Sequence, residues 1–429
     1  MPQKCFGSTV TTTVKAPARS SAAPTAARFP LGGLAVLATA VFMAVTAEVL
    51  PTGLLPEMSA DLHASESQIG LLVTYFAVAV VCSAVPLVAV TRRFPRHTLI
   101  VGVLLVVAIT SILSAVAPDY TFLAVVRVLG GMAHGLFWAV VGTYSVHLVP
   151  KHQIGRAVAI TSGGGTAAFV LGVPLGTMLG QAFTWRVPFA VIGVLALFAA
   201  LLILKKLPRV SPAERERSRR GGVVSGAVLD APPTLAAHRG RFDATVPAVA
   251  LLCLVVATLI VGQNTLYTYI TPFMISSMGV PASSVGLLLF VYGVAGALGL
   301  VLAGVVFSRR PTLGVAVGLV CTAVSVTVLT LFTSNIVVSV VAFAVWGASF
   351  GLIPSLMQAR LLHIASPAIR DTANAFYSTS FNVGIAGGAF LGGILLNGAG
   401  LGALPVTYLV LMVVAGVLLV ISWRIARRH

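Results

Sequence analysis

Arg92-Arg93-Phe94-Pro95-Arg96-His97 is followed by TLIVGVLLVVAITSILSAVA, residues 98–117, in which nothing is charged. Twenty helical residues rise about 30 Å, the thickness of a bilayer's hydrocarbon core. In water so uniform an apolar surface would have nothing to pack against on most of its circumference. The stretch therefore reads as a transmembrane helix with a basic anchor at one end.

Working outward, eleven more stretches meet the same test. The expected spans are about 31–50, 69–90, 98–117, 121–148, 155–180 and 187–204, then 245–272, 283–307, 313–332, 336–360, 372–396 and 403–423. The whole composition agrees: 429 residues, 58% hydrophobic and 9% charged, with a mean hydropathy of +1.03. Soluble domains are about 25% charged, so a soluble enzyme is excluded. Cys5, Cys82, Cys253 and Cys321 form no CxxC pair and imply neither a zinc site nor a disulfide framework. The fold expected is an all-α polytopic membrane protein of twelve helices.

The 27 Lys and Arg against 10 Asp and Glu give +17, and their placement is strongly one-sided. Lys4, Lys15, Arg19 and Arg28 precede the first span. Arg92, Arg93 and Arg96, then Lys151 and Arg156, then a dense basic set in 205–243, then Arg309, Arg310 and Arg370, and finally Arg424, Arg427 and Arg428 all fall on the same side. The alternate loops carry Glu57, Asp61, Glu66 and Asp119, with Arg186 as a basic exception. Basic loops stay in the cytoplasm, so both termini are expected there, in the plasma membrane. A cleaved signal peptide is the competing reading of the N-terminus, but 28 residues before the apolar run are long for one. The charge is thus a topology signal with some attraction to anionic lipid; nucleic acid is not an expected partner.

Residues 1–28, rich in Ser, Thr, Ala and Pro, read as a disordered cytoplasmic tail, and 205–243 as a cytoplasmic linker. They bracket two six-helix halves, 29–204 and 244–429, which echo each other. Arg92-Arg93 recurs as Arg309-Arg310, Gly131 and Gly135 as Gly347 and Gly351, Arg156 as Arg370, and Gly176 and Gly180 as Gly388 and Gly392, all at offsets of 212–217. Repeats of this kind place a substrate site between the halves near the membrane midplane.

Glu48 is the one acid inside a confident apolar span. A charge at the helix centre costs on the order of 2.5–3.5 kcal/mol on insertion scales, so a proton-coupled mechanism using a buried carboxylate falls on Glu48; a permanently paired structural carboxylate is the alternative. Arg127 is the one cation deep in an expected span. Arg127, Gly131, His134 and Trp138 share one helix face. His134 reads either as part of a proton path or as an interior hydrogen-bonder. Pro51 and Pro56 should bend or end the first span and free backbone carbonyls.

The residues resemble the major facilitator superfamily over about 30–425, and within it the proton-coupled drug-efflux branch, most like bacterial sugar-efflux and chloramphenicol-resistance transporters. The resemblance rests on Glu48-Val49-Leu50-Pro51-Thr52-Gly53-Leu54-Leu55-Pro56 with Asp61-Leu62, on Arg127-Val128-Leu129-Gly130-Gly131, on Gly172-Val173-Pro174-Leu175-Gly176 with Gly180 and Trp185-Arg186, and on Tyr267-Thr268-Tyr269-Ile270-Thr271-Pro272. It implies alternating-access antiport of protons against a small amphipathic compound such as an amphenicol, with Arg127 near Glu48. By the same resemblance Gly172, Pro174, Gly176 and Gly180 form an antiporter motif, with plain helix packing as the alternative. A monomer is implied, and no cofactor or metal.

The cytoplasmic gating loop (Arg92, Arg93, Arg96, repeated as Arg309, Arg310) departs from the family pattern, lacking the acid that normally precedes the basic pair. Expected cavity residues are Trp138, Tyr144, Gln263, Asn264, Tyr267, Tyr269, Asn374, Tyr377 and Asn382, with core packing as the alternative for each. Export of a sugar, nucleoside or other specific metabolite is the second transport reading; an intramembrane enzyme or a non-transporting sensor is remote. Ser145 and His147 point to different helix faces, and no Walker-type phosphate loop is present.

Overall fold

The computed structural model describes residues 31–91, 93–149, 153–206 and 243–426. The expected N-terminal tail, nearly all of the linker, Arg92, Lys151, Arg427 and Arg428 lie outside the described residues. Among the described residues, twelve helices are long and apolar enough to span a membrane. They are α1 (Leu31–Gly53), α2 (Glu66–Thr91), α3 (Arg96–Ala115), α4 (Tyr120–His147), α5 (Ile154–Ala182) and α6 (Arg186–Lys206), followed by α7 (Val246–Tyr267), α8 (Ala282–Val305), α9 (Pro311–Leu331), α10 (Ile336–Ile364), α11 (Arg370–Ala399) and α12 (Ala403–Ala426). This is an all-α polytopic membrane protein.

Local chemistry sets the breaks. Asp119 and Asn335 cap α4 and α10 by accepting from the backbone N–H of Phe122 (2.8 Å) and Val338 (3.2 Å). In α1 the helix passes through Pro51, stops at Gly53 and restarts as a short helix, Leu55–Asp61. In α5 the turn widens to π geometry over Ala168–Gly172, directly before Pro174, whose missing N–H cannot complete the regular ladder. The seventh span departs from expectation: it ends at Tyr267, not near 272, and resumes through Ile270–Pro272 and a π turn at Phe273–Ser277. Pro272 has no N–H for the carbonyl of Thr268, so a continuous helix would leave that carbonyl unpaired.

Within α1–α6 the helices pair α1 with α5, α2 with α4 and α3 with α6; α7–α12 repeat the first two as α7 with α11 and α8 with α10, while α9 packs mainly on α10 and α12 mainly on α7. The main seams between the two sets are α2 against α11 and α5 against α8. With the lesser contacts of α1 with α4 and of α7 with α10, these pairings close a ring of α2, α4, α1, α5, α8, α10, α7 and α11 around a central space, with α3, α6, α9 and α12 packed outside.

The α1–α5 contact explains the glycine stripe. A Cβ on Gly164 would stand 2.0 Å from the Ala38 carbonyl oxygen, on Gly172 2.1 Å from Thr46 Oγ1, on Gly176 2.5 Å from Leu50 Cδ1 and on Gly180 2.3 Å from Leu54 Cδ2. The α7–α11 contact repeats the device with Gly384, Gly388 and Gly392.

At the end of the bundle carrying the acidic loops the ring is shut. Thr271 donates to the Thr52 carbonyl (2.8 Å) and Thr74 to the Ala386 carbonyl (3.2 Å).

Candidate functional site

Pro51 has no N–H to give the carbonyl four residues before it, that of Ala47. Arg127 takes the place of that donor: Nη1 donates to the Ala47 carbonyl and Nη2 to the Glu48 carbonyl, each at 2.7 Å. The guanidinium also lies 4.4 Å over the ring of Phe76 on α2, a cation–π contact. Arg127 is 4% exposed, and its Nε has no hydrogen-bond partner. The meeting of Arg127 with α1 is thus made on the backbone.

The Glu48 carboxylate faces a different group. Its Oε2 lies 3.2 Å from His134 Nε2, with side-chain exposures of 12% and 3% respectively. The same Nε2 lies 2.7 Å from the indole nitrogen of Trp138, one turn along α4, and Phe76 meets the imidazole edge-on at 5.3 Å. A cavity of about 20 Å³ runs beside them, bounded by Thr110, Ser111 and Ser114 of α3, Arg127, His134 and Phe189 of α6. It has room for about one water. The cluster combines a nearly buried carboxyl, an imidazole able to carry a proton, and an indole that is 41% exposed. Such a set can take up and release a proton inside a membrane domain.

The other expected cavity residues do not converge on one place. Gln263 and Tyr267 lie in a buried aromatic cluster formed by α7, α8, α10 and α12. Gln263 donates to Tyr292 (2.8 Å) and accepts from Trp346 (2.9 Å) and Tyr408 (2.6 Å); Tyr267 stacks near Tyr292 at 5.1 Å. Asn264 and Asn382 are half-buried and donate to carbonyls of their own helices, Ile260 and Ser378. Asn374 accepts from Gln358 (3.0 Å) and Tyr377 donates to the Pro354 carbonyl (2.6 Å), both tying α11 to α10. Tyr144 is fully buried among α1–α6, 6.5 Å from the His97 ring. Tyr269 is at the closed end, donating to the Ala389 carbonyl (2.8 Å) in a slot where a Cβ on Gly70, Gly392 or Gly393 would collide with its ring or hydroxyl. Arg93, Arg309 and Arg310 are exposed and Arg96 half-buried at the basic end.

Several participants were not picked out from the sequence. Phe76, Tyr292, Phe343, Trp346 and Tyr408 look like ordinary core aromatics there. The repeat carried a signal, since Tyr292 follows Phe76 and Phe343 follows Arg127 by 216 positions. Arg360, at the edge of an expected span, is inside α10 and 5% exposed, with its Nη1 unpartnered.

A polar strap closes the acidic-loop end of α1–α6. Arg186 pairs with Asp61, Trp185 donates to the same carboxylate (3.0 Å), and Arg186 also donates to the Ala117 carbonyl (2.9 Å). Desolvation pushes the Asp61 carboxyl up, but the hydrogen bonds from Arg186 and Trp185 outweigh it and hold the group below the usual carboxylate range.

The family model described as Major Facilitator Superfamily matches residues 37–367 and 252–429. A probable sugar efflux transporter of Mannheimia succiniciproducens is 30% identical over 392 residues, covering 88% of this chain and 92% of the relative. One of Helicobacter pylori, also named a probable sugar efflux transporter, is 29% identical over 375 residues, covering 87% and 91%. Among solved structures, the nucleoside transporter NupG superposes with a TM-score of 0.72 at 15% identity, covering 92% of this chain and 98% of that one. A D-xylose-proton symporter gives 0.72 at 16%, covering 90% and 96%. With twelve spans, a twofold helix pairing and a family match along nearly its whole described length, this chain belongs to the major facilitator superfamily and is a multi-pass membrane transporter, not an enzyme.

Proposed function

We propose that the protein exports a small, uncharged, hydroxyl-bearing solute, a sugar or close analogue, in exchange for protons bound at Glu48. The observation that carries this reading is the placement of Glu48: a carboxyl in the last two turns of α1, 12% exposed, against His134, with the Arg127 guanidinium on its backbone carbonyl. Ionised and neutral forms of such a group differ greatly in the environment they favour, which is what coupling a proton to a conformational change requires. With the basic loops on the cytoplasmic side, the end held shut by Thr271 and Thr74 is the outer one.

The sugar assignment draws on the relatives named probable sugar efflux transporters. Asn264, Asn382, Ser378 and Thr379 are partly or fully exposed on α7 and α11, and amides and hydroxyls suit neutral polar ligands. Efflux of an amphenicol-like drug is the second reading, favoured by the resemblance around Glu48–Pro56 and by the exposed indole of Trp138.

Inside-out vesicles with an acidified lumen and a pH-sensitive dye separate the two. Hexoses, pentoses and their methyl glycosides should each release lumenal protons in a saturable way from vesicles containing the protein. Proton release by amphenicols alone would replace the sugar reading with the drug reading; release by neither would overturn proton-coupled export of both.

A further inference from the structure

His134 Nε2 has two neighbours, the Trp138 indole nitrogen at 2.7 Å and Glu48 Oε2 at 3.2 Å. One imidazole nitrogen either accepts through its lone pair or donates through its N–H, and an indole N–H can only donate. In the arrangement seen, Nε2 therefore accepts from Trp138 and the ring proton stands on Nδ1. An ionised carboxylate would be repelled by that lone pair, so this arrangement belongs with protonated Glu48. When Glu48 releases its proton to water, the favourable pairing becomes Nε2–H donating to the carboxylate. The ring keeps one proton, exchanged from Nδ1 to Nε2 through water, for which the adjoining cavity has room. Trp138 then loses its acceptor.

Trp138 is 41% exposed on α4, a helix of the ring around the central space, whereas His134 is 2% exposed. We propose that Trp138 is a specificity-determining residue whose indole N–H is offered to an acceptor oxygen of the solute only when Glu48 is ionised, and is withdrawn onto His134 when Glu48 is protonated. Proton and solute then exclude each other through a single hydrogen-bond swap. The indole face suits the C–H face of a pyranose ring, and its N–H suits a hydroxyl or ring oxygen. This rests on the exchange reading above and names the group that links its two ligands.

The charged groups facing His134 are Glu48 from α1 and Arg127 from its own helix. The cavity neighbours from α2, α3 and α6 are uncharged: Phe76, Thr110, Ser111, Ser114 and Phe189.

The test uses the full chain in lipid nanodiscs, labelled with 5-fluorotryptophan and followed by fluorine NMR from pH 5 to 9, with Trp138→Phe to assign the resonance. The Trp138 signal should titrate in wild type and stay flat in Glu48→Gln and in His134→Asn, while the Trp346 signal stays flat throughout. A Trp138 signal that ignores pH in wild type, or that titrates unchanged in Glu48→Gln, overturns the swap. Methyl β-D-galactopyranoside is the solute probe. It should shift the Trp138 resonance at pH 8 with a dissociation constant at least tenfold lower than at pH 5; no shift at either pH, or equal affinity at both, overturns the solute half. A Trp138 signal that ignores pH beside intact sugar-driven proton release removes this inference and leaves exchange standing. A titrating Trp138 with no proton release does the reverse.

Discussion

Pro51 determines what Arg127 does. A proline in mid-helix leaves the carbonyl four residues back without its donor, and Arg127 supplies two N–H groups to that stretch of α1. Arg127→Met should cost roughly 2–4 kcal/mol, because buried carbonyls and the cation–π contact are lost together. Adding Pro51→Ala restores a backbone donor to Ala47. The double variant should therefore be less destabilised than the two single losses added, by about 1 kcal/mol, in a denaturant titration of the purified protein. At the closed end, Asp61 gives a pH signature. Its carboxyl is held below the usual range, so its contribution is present above the ordinary carboxylate pKa and is lost as pH falls through the lowered folded value. Asp61→Asn should lower stability by roughly 1 kcal/mol at pH 7, the half-exposed ion pair adding little to the Trp185 bond, and the gap to wild type should close below about pH 4. Thermal unfolding at the two pH values checks this. Glu48 could be found by elimination among ten acids. The backbone destination of Arg127 could not, because a spacing of 79 residues in sequence says nothing of which atoms meet.

At the scale of elements, the span limits were legible to within a few residues, since hydrocarbon thickness and apolar run length are the same quantity. The exception is the end of α7, where apolar composition continues through Pro272 but backbone hydrogen bonding does not. The glycines of α5 were legible as a packing stripe, and the structure ranks them. The Cβ of an alanine at Gly164 would meet the Ala38 carbonyl oxygen at 2.0 Å, an atom that moves only with the backbone; at Gly176 it would meet a Leu50 methyl at 2.5 Å, the far end of a flexible side chain. Gly164→Ala should therefore cost about 1–3 kcal/mol and separate α1 from α5, whereas Gly176→Ala should cost less than about 1 kcal/mol. Melting temperatures in detergent will order the two, and transport by Gly176→Ala will show whether the stripe does more than pack.

For the whole molecule, the two sets of six helices share their two inner pairings, α1–α5 with α7–α11 and α2–α4 with α8–α10, but carry different chemistry. Where α1 and α4 hold Glu48 and Arg127, the corresponding part of α7, α8 and α10 holds Gln263, Tyr292 and Phe343, with Trp346 and Tyr408 completing a neutral network. On the exchange proposed above, proton coupling is confined to α1–α6, and the buried aromatic network of α7–α12 carries no charge. The repeat was legible in sequence; the asymmetry was not, because an aromatic replacing a cation looks like ordinary core. The closed end is a latch across the halves, with Tyr269 seated in a slot shared by Gly70 of α2 and Gly392 and Gly393 of α11. A Cβ on Gly70 would stand 2.1 Å from the Tyr269 hydroxyl, so Gly70→Ala should shift the population toward the state open at the acidic-loop end. Distances between spin labels placed at that end of α2 and α11 should lengthen relative to wild type. The central claim is that Glu48 couples the proton to movement of the solute. Its most direct measurement compares wild type and Glu48→Gln in proteoliposomes, for pH-gradient-driven transport and for sugar-for-sugar exchange without a gradient. Loss of the gradient-driven mode by tenfold or more with exchange preserved is the predicted result; gradient-driven transport that survives Glu48→Gln would contradict the account.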